Sequence, residues 1–276
     1  MNTVMIRKWL RKALESSPNT ANFVRSFRDQ LDRYDKPIKT PWGFTLAGHE
    51  NMAKGDFEPE ETRLIQLLLQ EVDVLVNVGA NVGYYCCHAL SLGKRVIAVE
   101  PIARNVHYLL KNIQDNGWAS QAEIYPVALS TSTDIMTIWG GGTGASLVKG
   151  WASIPESYVT QVPVLTLDRL LGSTLEGHRA LILVDVEGAE HMLLQGATAT
   201  LDHQPRPIWM MEVSTTEHQP VGVSINPSFR KTFELFFRHG YQAFTADKKV
   251  QPISSDLIAQ IESEQLQLST HNFIFR

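Results

Sequence analysis

The sequence has few of the features that mark secreted, membrane or nucleic-acid-binding proteins. It contains two cysteines in 276 residues, the neighbours Cys86 and Cys87. Because neighbours on a helix are unsuited to a structural disulfide, we interpret both as small core residues. No apolar run reaches the roughly eighteen residues that span a bilayer, and no apolar signal segment is present. A net charge of -4 gives no general attraction to nucleic acid. We therefore expect a cytoplasmic protein with no nucleic-acid partner.

A glycine-rich segment lacks the residue that a phosphate-binding loop requires. Residues 140–146 read Gly-Gly-Gly-Thr-Gly-Ala-Ser, but no lysine precedes a hydroxyl residue as in a Walker loop. We therefore reject a phosphate loop here. Two interpretations of residues 140–157 remain open, a mobile loop over an active site and a plain solvent loop. In the first interpretation, Ser146 contacts the substrate.

The length and composition indicate one large α/β domain with an extension. With 43% hydrophobic residues the chain can bury a substantial core. We predict an N-terminal helical extension over residues 1–50 and the α/β domain over residues 51–276. Residues 5–16 place apolar side chains on one helical face and basic side chains around it. That helix either packs on the domain or makes a peripheral contact with a partner or an anionic membrane surface.

The residues around one predicted chain reversal point to a binding site. Val74–Val78 is a short apolar run, typical of a strand buried on both faces of a parallel sheet. A glycine-bearing turn follows at residues 79–83, and residues 84–92 have apolar side chains at helical spacing. A second strand, Arg95–Val99, ends at Glu100. This places a carboxylate where a ribose would lie if a nucleoside sat over the turn.

The spacing of the glycines distinguishes two cofactor classes. A dinucleotide fingerprint has the pattern Gly-x-Gly-x-x-Gly, in which the middle glycine lets the backbone approach a pyrophosphate. Here Asn81 stands at the middle position and Gly83 comes one residue early. The sequence therefore favours a nucleoside without phosphates, such as S-adenosylmethionine, over a nicotinamide dinucleotide. A strand, turn and helix without any ligand is the remaining alternative.

Apolar periodicity predicts an α/β fold in which helices cover both faces of a sheet of about seven strands, the last one antiparallel. The last two strands, at residues 241–245 and 273–275, are expected to form a closing hairpin at the sheet edge. The other predicted strands after Glu100 lie at residues 122–129, 134–139, 161–165, 180–184 and 208–213, and helices lie at residues 60–70, 104–112 and 229–239.

Carboxylates follow two of the predicted strands. Asp185, Glu187 and Glu190 come directly after the apolar strand at residues 180–184. Three acids close together after a buried strand are costly unless the protein uses them. Glu212 ends the next strand, and if these strands are parallel, all four carboxylates face the same crevice as the first chain reversal. No set of three acids stands out at metal-ligand spacing, so we predict no metal site.

Several short motifs occur in the order and at the spacing of one known family. They are Gly79-Ala80-Asn81-Val82-Gly83-Tyr84, Glu100-Pro101, Thr166-Leu167-Asp168, the run Val184-Asp185-Val186-Glu187-Gly188-Ala189-Glu190, Leu194-x-Gly196-Ala197 and Met211-Glu212-Val213. Together they resemble the FkbM-type S-adenosylmethionine-dependent methyltransferases. The resemblance covers about residues 57–213 and, more loosely, the C-terminal strand. It implies a class I methyltransferase fold, which is Rossmann-like, and O-methylation of hydroxyls on sugars, polyketides or similar metabolites.

The resemblance also implies roles for individual residues. The turn after the first strand would pass the methionine end of the cofactor, Glu100 would hold both ribose hydroxyls, and Val127 and Ala128 would flank the adenine. Asp185 would lie beside the transferring methyl or the cofactor's amino group. The expected cofactor contacts are Asn77, Gly79, Ala80, Asn81, Gly83, Glu100, Pro101, Val127, Ala128 and Asp185.

Two positions depart from the family's pattern. Asn77 stands where the family usually has aspartate, which weakens a hydrogen bond to the cofactor's ammonium group, although an amide oxygen still accepts one. Leu183 stands where the family often has a lysine, two positions before Asp185. A catalytic route that needs this lysine is therefore in doubt here.

The expected chemistry needs a positioned acceptor and a base. A sulfonium methyl is already activated, so the protein must hold a hydroxyl oxygen in line with it and remove one proton. Candidates for the base are Asp185, Glu187, Glu190 and His191, of which only the histidine has an ordinary pKa near neutrality. An exposed helix position is the alternative for His191. The predicted substrate contacts are Ser146, Glu187 and Glu212, and the resemblance also implies that Glu190 lines the substrate side.

Three functions from different classes follow. The first is an O-methyltransferase that acts on a hydroxyl of a small molecule or sugar. The second is a methyltransferase-like binding protein without turnover, which the departures at Asn77 and Leu183 make conceivable. The third is a nicotinamide-dependent oxidoreductase, against which the side chain of Asn81 argues.

Overall fold

The computed structural model describes residues 36–276. Thirteen strands occur in this part of the chain: β1 Ile38–Lys39, β2 Thr45–Leu46, β3 Val74–Val78, β4 Arg95–Val99, β5 Ala122–Tyr125, β6 Ala128–Leu129, β7 Asp134–Trp139, β8 Val159–Leu165, β9 Ala180–Val184, β10 Ile208–Glu212, β11 Ala243–Thr245, β12 Pro252–Ile253 and β13 Asn272–Phe275.

Nine α-helices lie between these strands in the same part of the chain, together with short 3₁₀ turns. The helices are Glu50–Lys54, Pro59–Leu68, Tyr84–Ser91, Ala103–Asp115, Leu167–Leu171, Glu190–Gln195, Thr198–Leu201, Phe229–Arg238 and Ser255–Glu262.

The main sheet has eight strands in the order β12-β11-β13-β10-β9-β3-β4-β5. The five strands from β10 to β5 pair in parallel, and β13 pairs antiparallel with both β10 and β11. The predicted α/β sheet with an antiparallel last strand is therefore confirmed. The two C-terminal strands β11 and β13 pair antiparallel, as predicted, but they do not form a hairpin at the sheet edge. The chain between them includes β12 and a helix, and β12 is the edge strand.

Alternate side chains of the central strands enter two separate cores, one on each face of the sheet. Val76 and Trp209 pack with the helices of residues 167–171, 190–201, 229–238 and 255–262. Leu75 and Met210 point to the other face and pack with the helices of residues 59–68, 84–91 and 103–115. Helices thus cover both faces, as period-two burial in a parallel sheet requires.

The chain breaks at Pro126, where the sequence predicts one continuous strand over residues 122–129. Proline has no N–H to donate to a strand ladder, so β5 ends at Tyr125 and the chain turns out of the main sheet. Residues 128–129 then form β6, which joins β7 and β8 in a separate three-stranded sheet. The strand predicted at residues 134–139 is confirmed, and the one predicted at residues 161–165 begins two residues earlier, at Val159, but both lie outside the main sheet.

The helices differ from their predicted bounds in small ways. The helix after β4 extends to Asp115 rather than residue 112. In the helix Pro59–Leu68, the apolar side chain of Leu67 faces away from the sheet and is 52% exposed. Leu69 in the following 3₁₀ turn is buried instead. Cys86 and Cys87 are free and buried, as predicted.

The first described residues pack on the face that carries the helix Tyr84–Ser91. Phe44, Leu46 and Met52 lie in one apolar cluster with Tyr84 and Tyr108. The helix predicted at residues 5–16, with the proposed membrane or partner contact, lies outside the described residues. No helix between residues 36 and 276 combines the length and apolar character that a bilayer crossing requires.

Candidate active site

The chain reversal after β3 is a tight turn that packs against two neighbouring strands. Gly79 has a φ of +80°, and a Cβ atom there would lie 1.8 Å from the backbone oxygen of Asp185. Asn81 also adopts a positive φ, 51°. The N–H groups of Gly79 and Ala80 donate to the carbonyl oxygen of Val99. The turn lies directly against the ends of β4 and β9, and for this reason only glycine fits at position 79.

Glu100 is a buried carboxylate directly after β4, with 3% of its surface exposed. Its Oε2 accepts a hydrogen bond from Asn81 N at 2.8 Å. Its Oε1 accepts from Ile102 N at 2.9 Å and from Asn105 Nδ2 at 3.3 Å. Burial raises the pKa of Glu100 to about 7, although these three hydrogen bonds favour the ionised form. The carboxylate is therefore fixed between the turn and the following helix.

A first cavity opens beside this carboxylate at the ends of β3, β4 and β9. Its walls are partly apolar, with contributions from Leu129, Ile138 and Leu147. The glycine-rich segment contributes Gly142 and Thr143. The predicted cofactor contacts that line the first cavity are Gly79, Asn81, Glu100, Pro101, Val127, Ala128 and Asp185.

A second cavity lies on the other side of the turn and shares part of its lining with the first. The two cavities have in common Gly79, Asn81, Thr143, Asp185 and Glu187. The second cavity also takes side chains from residues 52–65, which precede β3. Among the predicted site residues it is lined by Asn77, Gly79, Ala80, Asn81, Asp185, Glu187 and Glu212.

Carboxylates dominate the charge of the second cavity. Asp185 and Glu212 occupy adjacent positions on neighbouring strands, since each follows a residue of the Val184–Met211 pair of β9 and β10. Glu58 and Glu61 enter from the helical segment before β3, and Glu187 enters from the loop after β9. No Lys, Arg or His belongs to the described lining.

The pKa values of the paired carboxylates respond to this environment. Removal from bulk water raises the pKa of Asp185 well above its ordinary value, and the charges of Glu212 and Glu187 raise it further. Desolvation raises the pKa of Glu212 to about 8, with Glu187 and Glu58 adding to the shift. Asp185 is nevertheless reached by solvent through the cavities that it lines. This pair can therefore hold a proton near neutral pH and exchange it with a molecule in the cavity.

Glu187 is held in place by the segment that follows β7. Its φ is 53°, and its Oε2 accepts a hydrogen bond from Trp151 Nε1 at 2.7 Å. The ring of Trp151 also lies against Gly188, where a Cβ atom would come within 2.6 Å of it. Ser146 Oγ donates to the backbone oxygen of Glu187. The segment at residues 140–157 thus packs on the site, which agrees with a covering loop rather than a plain solvent loop.

Four predicted site residues lie outside both cavities. Gly83 begins the helix Tyr84–Ser91, and a Cβ atom there would approach Leu109 Cδ1 to 2.5 Å. Ser146 is fully buried and supports the backbone of Glu187. Glu190 is buried at 4% exposure and accepts from Gly188 N, and burial raises its pKa to about 8. His191 lies half-buried on the next helix, where burial and the charges of Lys231 and Arg238 lower its pKa.

The sequence analysis missed three residues that shape the site. Asn105 lines the first cavity, Glu58 lines the second, and Trp151 positions Glu187. Glu58 accepts a hydrogen bond from Tyr85 OH at 2.9 Å. Glu58 and Trp151 come from segments distant in sequence from the strand ends, whereas Asn105 follows the end of β4 by six residues. Glu58 precedes a proline and Trp151 follows a glycine, which is a weak signal that periodicity does not detect, and Asn105 has no such neighbour.

Comparison with known proteins identifies the family. The model of the methyltransferase FkbM domain matches residues 77–243, which is more than half of the chain. This protein belongs to the FkbM methyltransferase family. The matched region begins in β3 and ends at the first residue of β11, so it includes both carboxylate-bearing strand ends. No curated protein matches the chain.

Solved structures of methyltransferases are similar to this FkbM-family chain at low identity. The methyltransferase FkbM from Methylobacillus flagellatus KT has 15% identity and a TM-score of 0.44, and the match covers 93% of this chain and 60% of that one. The O-methyltransferase from Bacillus cereus in complex with SAH has 14% identity and a TM-score of 0.44, covering 82% and 83%. The SAM-dependent methyltransferase from Agrobacterium tumefaciens has 12% identity and a TM-score of 0.43, covering 87% and 69%. This chain thus spans 60% of the length of the Methylobacillus protein.

The first cavity fits the cofactor of the FkbM family, S-adenosylmethionine. Two buried amide oxygens, Asn81 Oδ1 and Asn105 Oδ1, have no hydrogen-bond partner among residues 36–276. Both residues line the first cavity beside the fixed carboxylate of Glu100. Apolar walls beside unsatisfied acceptors suit a nucleoside, which presents flat apolar faces and several hydrogen-bond donors.

The described residues offer no comparable site for a metal ion. No group of three or more His, Cys, Asp or Glu side chains between residues 36 and 276 has the geometry to hold one.

Proposed function

We propose that this protein transfers a methyl group from S-adenosylmethionine to a hydroxyl group of a small molecule or sugar. The observation that carries the proposal is the pair Asp185 and Glu212, two carboxylates with raised pKa values next to the turn at residues 79–81. Membership of the FkbM family indicates that the reaction is a methyl transfer. The proposal that the acceptor is a hydroxyl group rests on this pair of carboxylates.

In this proposal, the first cavity receives the adenosyl group of the cofactor. Val127 and Ala128 flank the adenine, and Glu100 accepts a hydrogen bond from the ribose. The turn at residues 79–81 passes the methionine end, where the unpartnered Asn81 Oδ1 accepts from the ammonium group. When bound, the cofactor supplies an activated methyl group on a positively charged sulfur.

The second cavity receives the acceptor in this proposal. The open space at the second cavity, about 970 Å³ when adjoining solvent is included, exceeds the 580 Å³ of the first cavity measured in the same way. Phe57 and Tyr85 offer apolar surface, while Glu58 and Glu61 offer hydrogen-bond acceptors. The walls position the hydroxyl at the boundary between the two cavities, and positioning supplies much of the catalysis.

The paired carboxylates remove the hydroxyl proton. Two nearby carboxyl groups do not both ionise easily, so Asp185 and Glu212 share one proton over a range that includes neutral pH. The ionised member holds the acceptor hydroxyl by a hydrogen bond and takes up the proton that this oxygen releases. Bound S-adenosylmethionine would supply the methyl group and would leave as S-adenosylhomocysteine. Glu187 is less suited to this role, because Oε2 already accepts from Trp151. Glu190 and His191 line neither cavity, and Leu183 supplies no cation.

The direct test is methyl transfer to a panel of acceptors. Purified protein with S-adenosylmethionine that carries an isotopically labelled methyl group is expected to label at least one sugar, polyol or phenol, as detected by mass spectrometry. Transfer to amines alone would contradict the hydroxyl assignment. Binding of S-adenosylhomocysteine without transfer to any acceptor would favour a binding protein without turnover.

A first prediction concerns the base. Glu212 lines the second cavity but not the first, so Glu212→Gln should lower kcat by about 10²-fold and leave cofactor affinity unchanged. Because the pKa of Glu212 is raised to about 8, the wild-type kcat should increase as the pH rises towards 8. The variant should lose that increase.

The matched control is Glu61→Gln, which changes another carboxylate of the second cavity. It should alter the KM for the acceptor more than kcat. Equal kcat values and equal pH profiles in Glu212→Gln and the wild type would show that Glu212 does not act on the proton.

A further inference from the structure

Asn105 is a buried amide in the first cavity that neither the sequence pattern nor the family motifs single out. It lies in the first turn of the helix Ala103–Asp115, five residues after Glu100, and only 1% of its surface is exposed. It is nevertheless one of the residues that line the first cavity.

The orientation of the Asn105 amide is set by its neighbours. Nδ2 donates to Glu100 Oε1 at 3.3 Å and to the backbone oxygen of Gly142 at 2.9 Å. A backbone carbonyl oxygen only accepts hydrogen bonds, as does an ionised carboxylate. Exchanging the nitrogen and oxygen of the amide would place an acceptor against two acceptors, so Nδ2 must face them.

This orientation leaves Asn105 Oδ1 without a donor. The atom is buried and has no hydrogen-bond partner among residues 36–276. Buried carbonyl oxygens in folded proteins are nearly always satisfied, and an orphan acceptor in a ligand cavity indicates that the ligand supplies the missing donor. The donor must come from a group that lies beside Glu100.

We propose that Asn105 selects the cofactor by accepting a hydrogen bond from one ribose hydroxyl through Oδ1, while Glu100 accepts from the other. The inference rests on the assignment of the first cavity to the adenosyl group under the proposed function. Both oxygens of Glu100 already accept hydrogen bonds from the protein, three in all. A second acceptor next to Glu100 therefore divides the two ribose hydroxyls between two side chains.

The sugar is favoured over the adenine amino group by the position of the amide. Oδ1 shares its carbon with Nδ2, which is within hydrogen-bond distance of Glu100 Oε1. Any donor that reaches Oδ1 consequently lies close to the Glu100 carboxylate. The two hydroxyls of a ribose are neighbours on one ring, so they match two acceptors placed side by side.

The test is a binding cycle that combines one variant with cofactor analogues. Calorimetry would compare the wild type and Asn105→Ala with S-adenosylhomocysteine, its 2′-deoxy and 3′-deoxy analogues, and an analogue that lacks the 6-amino group. Asn105→Ala should weaken S-adenosylhomocysteine about tenfold. One deoxy analogue should bind the wild type more weakly than the parent compound, yet bind the variant as tightly as the parent does. Removal of the 6-amino group should have the same effect on both proteins.

Two results would overturn the inference. The first is that the fold loss of affinity caused by Asn105→Ala and the fold loss caused by each deoxy analogue multiply when the two changes are combined. In that case Oδ1 accepts from neither hydroxyl. If the variant instead removes the effect of the 6-amino group, Oδ1 contacts the base and not the ribose. A wild type that does not bind S-adenosylhomocysteine would remove the cofactor site and this inference together, whereas normal wild-type binding with multiplying losses would remove only the inference.

The controls separate recognition from loss of structure. Asn116→Ala removes an amide at the end of the same helix, where it bonds to Thr45 outside both cavities, and should leave all four affinities unchanged. If thermal melting shows that Asn105→Ala does not fold, the same series would be measured with Asn105→Ser. Its hydroxyl can still donate to Glu100, but it places no carbonyl oxygen in the cavity, and the same outcomes apply.

Discussion

Glu100 illustrates how a single carboxylate acquires a fixed position and a shifted pKa from its surroundings. Burial raises its pKa to about 7, while two backbone N–H groups and the Asn105 amide hold its oxygens. A side chain that is already rigid loses little entropy when it binds a ligand. Glu100 is therefore suited to accept a hydrogen bond from a hydroxyl group in one defined geometry.

Replacement of Glu100 tests this role. Glu100→Ala should weaken S-adenosylhomocysteine binding by about 2 to 4 kcal/mol, because the ribose loses a charge-assisted hydrogen bond and the turn loses its support at Asn81. Calorimetry measures this change. Glu123→Ala, which removes an ion pair with Arg95 on the neighbouring strands and lines neither cavity, should bind normally. Equal affinities of Glu100→Ala and the wild type would remove Glu100 from the cofactor site.

At this scale, sequence identifies residues whose local context is unusual. Gly79 and Glu100 were predictable, because a glycine after a buried strand and an acid at the end of the next strand form a pattern typical of a nucleoside site. Asn105 was not predictable, since an asparagine in the first turn of a helix is common on protein surfaces. Its importance depends on Glu100 and on the carbonyl of Gly142, 37 residues away.

Among the elements, the turn after β3 requires glycine at position 79 for two reasons, the close contact with the backbone after β9 and the positive φ. Gly79→Ala adds a Cβ atom 1.8 Å from a backbone oxygen and strains a φ of +80°. Gly93 has a similar φ, +72°, with no atom near its added Cβ. Gly93→Ala should therefore lose about 1 to 2 kcal/mol of unfolding free energy from strain alone. Gly79→Ala should lose considerably more and should not bind S-adenosylhomocysteine. Similar denaturation midpoints for the two variants would mean that the contact with β9 is unimportant.

The segment at residues 140–157 contacts the site through the indole ring of Trp151. Trp151→Phe keeps a ring against Gly188 but removes the donor to Glu187 Oε2. Because Glu187 is partly exposed, water replaces part of this bond, and we expect kcat/KM for the acceptor to fall about tenfold. Cofactor affinity should change less than twofold. Steady-state kinetics with an acceptor that the wild type methylates measures the first quantity, and calorimetry measures the second. A larger effect on the cofactor than on the acceptor would contradict this arrangement.

The elements most reliably predicted from sequence were those whose pattern is set by burial alone. The runs at residues 74–78, 95–99 and 180–184 are apolar because both faces of each strand are covered, and the structure confirms all three bounds. Pro126 was visible in the sequence, yet the apolar residues around it suggested one long strand. The position of β13 between two other strands depends on long-range pairing that no local pattern encodes.

Across the whole molecule, buried acids couple stability to pH. In the folded protein the pKa values of Glu100, Glu190 and Glu212 are raised to about 7, 8 and 8, against an ordinary value of 4.5. Between these limits the folded chain binds more protons than the unfolded chain. The free energy of unfolding should therefore decrease as the pH rises from about 5 to 8.

Glu190 provides the cleanest test of this coupling. Glu190→Gln keeps an oxygen for the Gly188 N–H but removes the titration. Between about pH 5 and pH 8 the unfolding free energy of the wild type should decrease. The decrease in Glu190→Gln should be smaller by at least about 1 kcal/mol. Denaturant titrations at several pH values measure the difference. The exposed residue Glu176 serves as the control, since Glu176→Gln should keep the wild-type slope. Parallel curves for Glu190→Gln and the wild type would contradict the assignment.

The second cavity draws part of its wall from outside the region that defines the family. Met52, Phe57, Glu61 and Ile65 precede residue 77, where the family match begins, whereas the predicted cofactor contacts all lie within it. If the second cavity receives the acceptor, as proposed above, chains that agree over residues 77–243 can keep one methyl donor and still differ in what they methylate. Exchange of the short stretch at residues 52–65 between such chains offers a route to new acceptors without rebuilding the nucleoside pocket.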